Sequence, residues 1–460
     1  NVRVPAELII ERSGMVPGEQ FDWAKSRAGE FDLLDTGAFS STFIRGSTDT
    51  VFIVPGDAPD TGGVLGDEQV DANGDLVPRE LDEEVDLKIH VVEAPSQQLR
   101  VRAGAEFDPT RLDTALSSRL WLRNLFGPWH HLVLEGRLGY GWLWRDTTDD
   151  PTGFYGEALV RYLKPMLGAR LLDFRLTARL RDELHPGFHL LEVTTGPGVR
   201  STLAKNLFFD TDLFFRYGLS IDFGPFDDAT RDELSLPEDD TFLGPELQSS
   251  IVWDERDNPV EALKGHLLAL RASFTPGDPM GTHRYLTLGP EARGFLPITE
   301  SFSIGLRGAA GWAFLGGDDG IPLGPRLFGG GSYGMRGFGR HRLSPTALSC
   351  PTAPAPGAAL VECELGPVGG LSLVEASLEG RLLPYLKPYG LVAFADVGGA
   401  GAEANPFDTG VSMALGAGLR LRIWYLPIAF DAAYRLLRDN EVQAPEHDPF
   451  LVFFRIGESF

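Results

Sequence analysis

The stretch VSMALGAGLRLRI, residues 411–423, sends every second residue to the same side. Val411, Met413, Leu415, Ala417, Leu419, Leu421 and Ile423 share one face, while Ser412, Gly416, Gly418, Arg420 and Arg422 share the other. A period of two belongs to a β-strand, so this strand is apolar along one face and charged and glycine-rich along the opposite one. The same division recurs in LRVRAGAEF (99–107), HLVLEGRLGYGWLW (131–144), SFSIGLRGAAGWAF (301–314) and LSLVEASLEGRLL (371–383). In the last of these, Val374, Ala376, Leu378 and Leu382 oppose Glu375, Ser377, Glu379 and Arg381.

Extending the pattern from residue 99 onward gives sixteen candidate strands, at 99–107, 114–123, 131–144, 153–163, 170–181, 187–200, 205–222, 242–255, 264–275, 283–295, 302–314, 370–383, 386–397, 411–423, 427–436 and 449–460. A soluble sandwich also alternates. Three features favour a membrane barrel instead: many segments reach the ~9–11 residues of a tilted span, the uniform face ends in aromatics (Tyr140, Trp142, Trp144, Trp312), and the other face carries charge and glycine. A closed barrel satisfies every strand edge in lipid, which no open sheet does. The expected fold is therefore mainly β, a 16-stranded antiparallel transmembrane barrel over residues 96–460.

Composition agrees. The 460 residues hold 41 basic and 65 acidic side chains, a net charge of −24, which argues against nucleic acid as a partner. The longest uncharged run, 343–361, contains Pro345, Pro351, Pro354 and Pro356, so no transmembrane helix is expected. No signal peptide opens the sequence, and Asn1 reads as entering partway through a domain. Cys350 and Cys363 lie in one Pro/Ala-rich segment, where a local disulfide is preferred to free thiols.

Residues 1–95 read differently. Helices are expected at 5–13 and 21–36, the second with Ala24, Ala28, Phe31 and Leu34 at helical spacing and Gly37 as its cap, followed by strands at 39–45 and 85–93. Between the strands runs an acidic segment, 46–84, expected to be a solvated loop. Its DANGD places Asp71, Asn73, Asp75 and Asp82 at calcium-loop spacing, but Leu76 stands where such a loop needs glycine, so no metal is expected.

The glycine-rich run RLFGGGSYGMRGFGRHRLSP, residues 326–345, sits in the longest expected connection, 315–369. Gly329, Gly331 and Gly334 match a dinucleotide pattern and Gly330, Ser332 and Gly334 a hydrolase elbow, but the sequence after them is a poor helix start, and no βαβ unit surrounds them. An alternative use of glycine is to turn the chain sharply so that a tip of Met335, Arg336, Gly337 and Phe338 folds into the lumen. A shielded arginine there needs carboxylates, and Glu379 and Asp396 are the candidates. A surface arginine in a loose loop is the other reading.

The same run resembles the loop motif of the BamA/TamA superfamily of outer-membrane assembly barrels, with the L-S-P ending of its TamA-like branch. WDERDNPVEALKG (253–265) resembles the family's strand-opening motif through Asp254, Arg256, Asp257, Asn258 and Pro259, and SLEGRL and FADVGG resemble its two wall segments around Glu379 and Asp396. RNLFGPWHHL (123–132) and the closing FRIGESF, with Gly457 before Phe460, also fit. Residues 1–95 resemble a POTRA domain lacking its first strand, with 46–84 as an unusually long insertion and further POTRA domains expected upstream.

The resemblance implies a factor of the Gram-negative outer membrane without bond chemistry or cofactors. It inserts β-barrel or autotransporter clients, with periplasmic POTRA units taking clients or a lipoprotein or inner-membrane partner. The expected route is a weak lateral seam between the first strand (Leu99, Val101, Ala103) and the last, where Gly457 bends the strand or merely fits barrel curvature and Phe460 anchors at the interface. A dedicated two-partner secretion pore is the alternative. An enzyme using Ser332, or Glu375 with Glu379, lacks a histidine placed to complete it.

Overall fold

The protein is described from a computed structural model covering residues 4–20, 22–46, 68–70, 76–78, 86–143, 152–221, 226, 228–238, 240–258, 262–317, 320–349, 364–382, 388–423, 426–438 and 449–456. It divides into two compact units, residues 1–96 with 126–129, and the remainder.

In the first unit, helix α1 (Ala6–Ser13) ends on Gly14 in the left-handed region, and α2 (Trp23–Asp35) starts where the Asp22 carboxylate accepts from Ala24 N at 2.8 Å. Strands Phe39–Gly46 and Leu87–Glu93 pair antiparallel. The face of α2 that packs is not the one marked by Phe31 and Leu34, both of which are exposed; Ser26, Gly29 and Leu33 are buried instead. The reason is a close approach: a Cβ on Gly29 would lie 2.4 Å from the Ser13 carbonyl oxygen. Gly29→Val is expected to destabilise this unit by about 1–3 kcal/mol, seen as faster amide exchange in α2 of the full chain. The acidic segment is not wholly loop, since Glu68–Val70 and Leu76–Pro78 form a short antiparallel pair. Asp71, Asn73, Asp75 and Asp82 lie outside the described residues.

The second unit is a closed antiparallel barrel of sixteen strands among the described residues. Barrel strands are numbered β1 (Gln97–Phe107), β2 (Arg111–Leu122), β3 (His131–Leu143), β4 (Gly153–Lys164), β5 (Leu172–His185), β6 (Phe188–Ala204), β7 (Leu207–Ile221), β8 (Thr241–Asp254), β9 (Gly265–Pro276), β10 (Arg284–Pro297), β11 (Phe302–Leu315), β12 (Ser372–Leu382), β13 (Tyr389–Gly401), β14 (Ser412–Ile423), β15 (Leu426–Arg438) and β16 (Phe450–Ile456). Each pairs with its sequence neighbours, and β16 returns to β1.

The apolar face points outward: Leu99, Val101, Leu116, Leu138, Phe154, Leu306 and Leu378 are all exposed. A continuous band of this kind is stable only against hydrocarbon. Tyr140 packs on Trp142 and Phe154, with ring centroids 4.6 and 5.0 Å away.

At the rim where β11 ends, the long connection to β12 covers the bore with the help of a short helix, α3 (Asp228–Leu234), between β7 and β8. Phe188, Leu190, Phe226, Leu234, Leu236, Leu323, Ala347 and Val368 form one buried cluster there. Arg326, also buried, donates to the carbonyls of Leu234 (2.7 Å), Ser235 (3.1 Å) and Gly369 (3.0 Å), so one side chain ties the helix end to both arms of the long connection.

Candidate functional site

The glycine run builds a hairpin that enters the bore. Gly329 and Leu343 bridge in both directions, at 2.9 and 3.2 Å, and Gly331 N donates to Phe338 O at 2.9 Å. Gly330 and Gly331 turn at φ +89° and +90°, a region that favours glycine. No helix follows Gly334 among the described residues, and the Ser332 hydroxyl hydrogen-bonds to Glu106, so neither the dinucleotide nor the nucleophile pattern is realised.

The tip is buried: Met335, Arg336 and Phe338 are at most 3% exposed. Arg336 donates from Nε to Asp396 Oδ2 at 2.7 Å, from Nη2 to Asp396 Oδ1 at 2.8 Å and to Ser377 Oγ at 3.0 Å, and from Nη1 to Glu379 Oε1 at 2.7 Å. Its guanidinium also stacks 3.4 Å above the Phe394 ring. A planar fork reaches two carboxylates and a ring at once, which a lysine ammonium cannot. Met335, Phe338 and Leu343 pack with Ala400 and Ala414, and Arg435 Nε donates to Gly337 O at 2.6 Å while lying over the Phe338 ring. In this loop position the positive charge of Arg336 is strongly favoured by Asp396 and Glu379 despite its burial.

Glu375, Ser377, Phe394 and Arg435 complete the grip and were not assigned to it by sequence reasoning. The period of two placed Glu375 and Ser377 on the inner face, but only the folded loop supplies their partners. Glu375 Oε1 accepts from Gly330 N (2.9 Å) and Met335 N (3.0 Å), and Oε2 accepts from Arg307 (3.2 Å). A Cβ on Gly334 would sit 2.5 Å from Glu375 Oε1. Gly334→Val is therefore expected to expel the Glu375 carboxylate and loosen the tip, measured as new reactivity of a cysteine placed at Gly339.

The hairpin also touches the two strands that close the barrel. Arg340 N donates to Asp108 Oδ2 (3.0 Å) in the β1–β2 turn, Ser332 meets Glu106 of β1, and Arg455 of β16 lies 4.4 Å over the Tyr333 ring. Among the described residues β16 pairs with β1 at Phe454–Phe107, Arg455–Glu106 and Ile456–Ala105, which brings the first and last strands together. Leu99, Val101 and Ala103 have no β16 partner among the described residues. Gly457, Phe460, Cys350, Cys363 and Pro259 lie outside the described residues.

The strand-opening motif is a local turn. Arg256 grips Asp254 through two bonds of 2.8 Å, and the Asp257 carboxylate accepts from Asn258 N (3.0 Å), Leu263 N (3.0 Å) and Lys264 N (3.2 Å).

Residues 198–460 match the Omp85 superfamily domain. Among solved structures, BamA from Haemophilus ducreyi lacking POTRA domains 1–3 is similar at 13% identity and TM-score 0.63, covering 100% of this chain and 82% of that one. CdiB from Acinetobacter baumannii is similar at 12% identity and TM-score 0.58, covering 100% and 72%. CdiB from Escherichia coli is similar at 14% identity and TM-score 0.53, covering 99% and 74%. At these identities the likeness is one of fold. No curated protein matches the sequence.

Proposed function

Since this chain belongs to the Omp85 superfamily, we propose that it is an outer-membrane factor that assembles or translocates β-barrel or autotransporter clients through the seam between β1 and β16. The observation that carries this reading is the inward hairpin's hold on both sides of that closure, through Ser332 and Arg340 on the β1 side and Tyr333 beneath Arg455 of β16. Ladder groups left unpaired when β1 and β16 part are costly in lipid, and an incoming client strand satisfies them. Leu99 and Val101 are exposed on the outer face of β1, so a strand added to β1 meets lipid on the correct side.

The N-terminal unit serves as a POTRA-like receiver. Its sheet offers strand edges flanked by exposed Phe43 and Val92, suited to strand addition by an unfolded client or to a periplasmic, lipoprotein or inner-membrane partner. The Leu343–Ser344–Pro345 ending favours the specialised TamA-like branch. There Ser344 Oγ accepts from Gly369 N at 2.8 Å and closes the base of the inward hairpin.

Export of one partner polypeptide through the bore is the second reading. It requires the Arg336 tip to leave its carboxylates, and so the buried grip favours the lateral route. Reconstitution into liposomes with an unfolded outer-membrane protein tests the assignment: insertion should accelerate at least tenfold over empty liposomes. An unchanged insertion rate, with vesicle entry of a partner polypeptide instead, would favour the pore.

A further inference from the structure

We propose that the bore contains an anion site centred on Arg161, selective for a soluble di- or polyphosphate group. A cavity of about 520 Å³ lies on the inner wall, lined by Arg161, Arg175, Thr177, Arg179, Gln248 and Arg271 among others. Nearly every arginine around it already has a carboxylate. Arg175 is held by Asp212 (2.7 Å) and Asp210, Arg179 by Glu157 (3.3 Å) and Arg271 by Glu291 (3.2 Å).

Arg161 is the exception. Among the described residues no carboxylate lies within 4.0 Å of it, and its Nε is buried without a hydrogen-bond partner. The carboxylates that act on it, Glu135 and Asp212, stand beyond salt-bridge distance, so the half-buried guanidinium is poorly compensated and an anion in the cavity lowers that cost. Of the four arginines that line the cavity, three are engaged by Asp210, Asp212, Glu157 and Glu291, and Arg161 alone has no salt bridge among the described residues. Donors converge there from β4, β5, β8 and β9, a distribution that suits a tetrahedral group with several acceptor oxygens better than a planar carboxylate. The cavity belongs to the bore rather than the outer face, so the ligand is water-soluble and not a lipid headgroup.

The test uses the full chain in detergent, with inorganic pyrophosphate as the probe in calorimetric titrations at ionic strength held constant with NaCl. Saturable binding is expected, weakened at least tenfold in Arg161→Gln and only slightly in Arg200→Gln, whose side chain stacks over Phe208 at 4.2 Å and does not line the cavity. The heat-modifiable electrophoretic mobility of each variant confirms a folded barrel. No saturable binding by the wild type, or equal binding by Arg161→Gln, overturns the site. A poly-aspartate peptide that binds where pyrophosphate does not overturns the phosphate assignment.

Discussion

Arg336→Ala is expected to release the inward hairpin while leaving the barrel closed. The substitution removes four side-chain hydrogen bonds and leaves Asp396, 1% exposed, without its guanidinium partner. Removing one partner of a buried ion pair costs about 3–5 kcal/mol, and each 1.4 kcal/mol is a factor of ten, so the undocked population should rise by roughly two to three and a half orders of magnitude. Glu379 loses less, because Arg381 Nε still donates to it at 2.7 Å. Arg336→Lys keeps the charge but not the fork or the flat stack on Phe394, and an intermediate effect is expected. Trypsin reports the change, since Arg340 and Arg342 lie in the hairpin and Arg342 is buried in the docked state. Arg256→Ala provides the comparison. Its ion pair is made to Asp254 two residues away, within one local turn that does not touch the hairpin's Asp396 and Glu379 clamp, and both proteolysis and client insertion should stay near wild type. Equal effects of the two substitutions would remove the reason for singling out the tip.

Locking the seam should abolish lateral activity altogether. Ala105 and Ile456 are directly opposed, and antiparallel partners have Cα atoms about 4.5–5.5 Å apart, inside the range that a disulfide spans. Ala105→Cys combined with Ile456→Cys should therefore crosslink under oxidation, stop client insertion, and recover on reduction. A control crosslink at Leu268 and Ala292, opposed in the β9–β10 ladder, should leave insertion unchanged because that wall is already continuously paired. Insertion that persists in the oxidised seam variant would move the client route elsewhere.

Much of this architecture is written in the period of two. VSMALGAGLRLRI and LSLVEASLEGRLL each disclose an outer and an inner face, and the observed strands β14 and β12 follow them closely. Strand ends were less legible. β5 runs to His185 rather than stopping at residue 181, because Glu183 and His185 are held above by the hairpin's Arg340 and by stacking on His341. Polar residues at a rim carry no sign of that support in one dimension. The Arg336 clamp could be read because cation and carboxylates are few and of fixed type. Glu375 could not, since its partners are the backbone N–H groups of Gly330 and Met335, and any residue there could supply them. In the N-terminal unit, Phe31 and Leu34 at helical spacing disclosed the helix but not its packed face, for a related reason: contact is set by the missing side chain of Gly29. The pairing of β16 with β1 is a property of register, which no single strand encodes.

The central claim is that the closure between β1 and β16 receives client strands, and site-specific crosslinking tests it most directly. A photoreactive group at Val101, on the outer face of β1, and another at Leu270, on the outer face of β9, would be compared in liposomes during insertion of an unfolded outer-membrane protein. Crosslinks to the client's terminal strand from Val101 and none from Leu270 are the predicted result. Accelerated insertion with equal capture at both positions, or with none at Val101, would contradict the account.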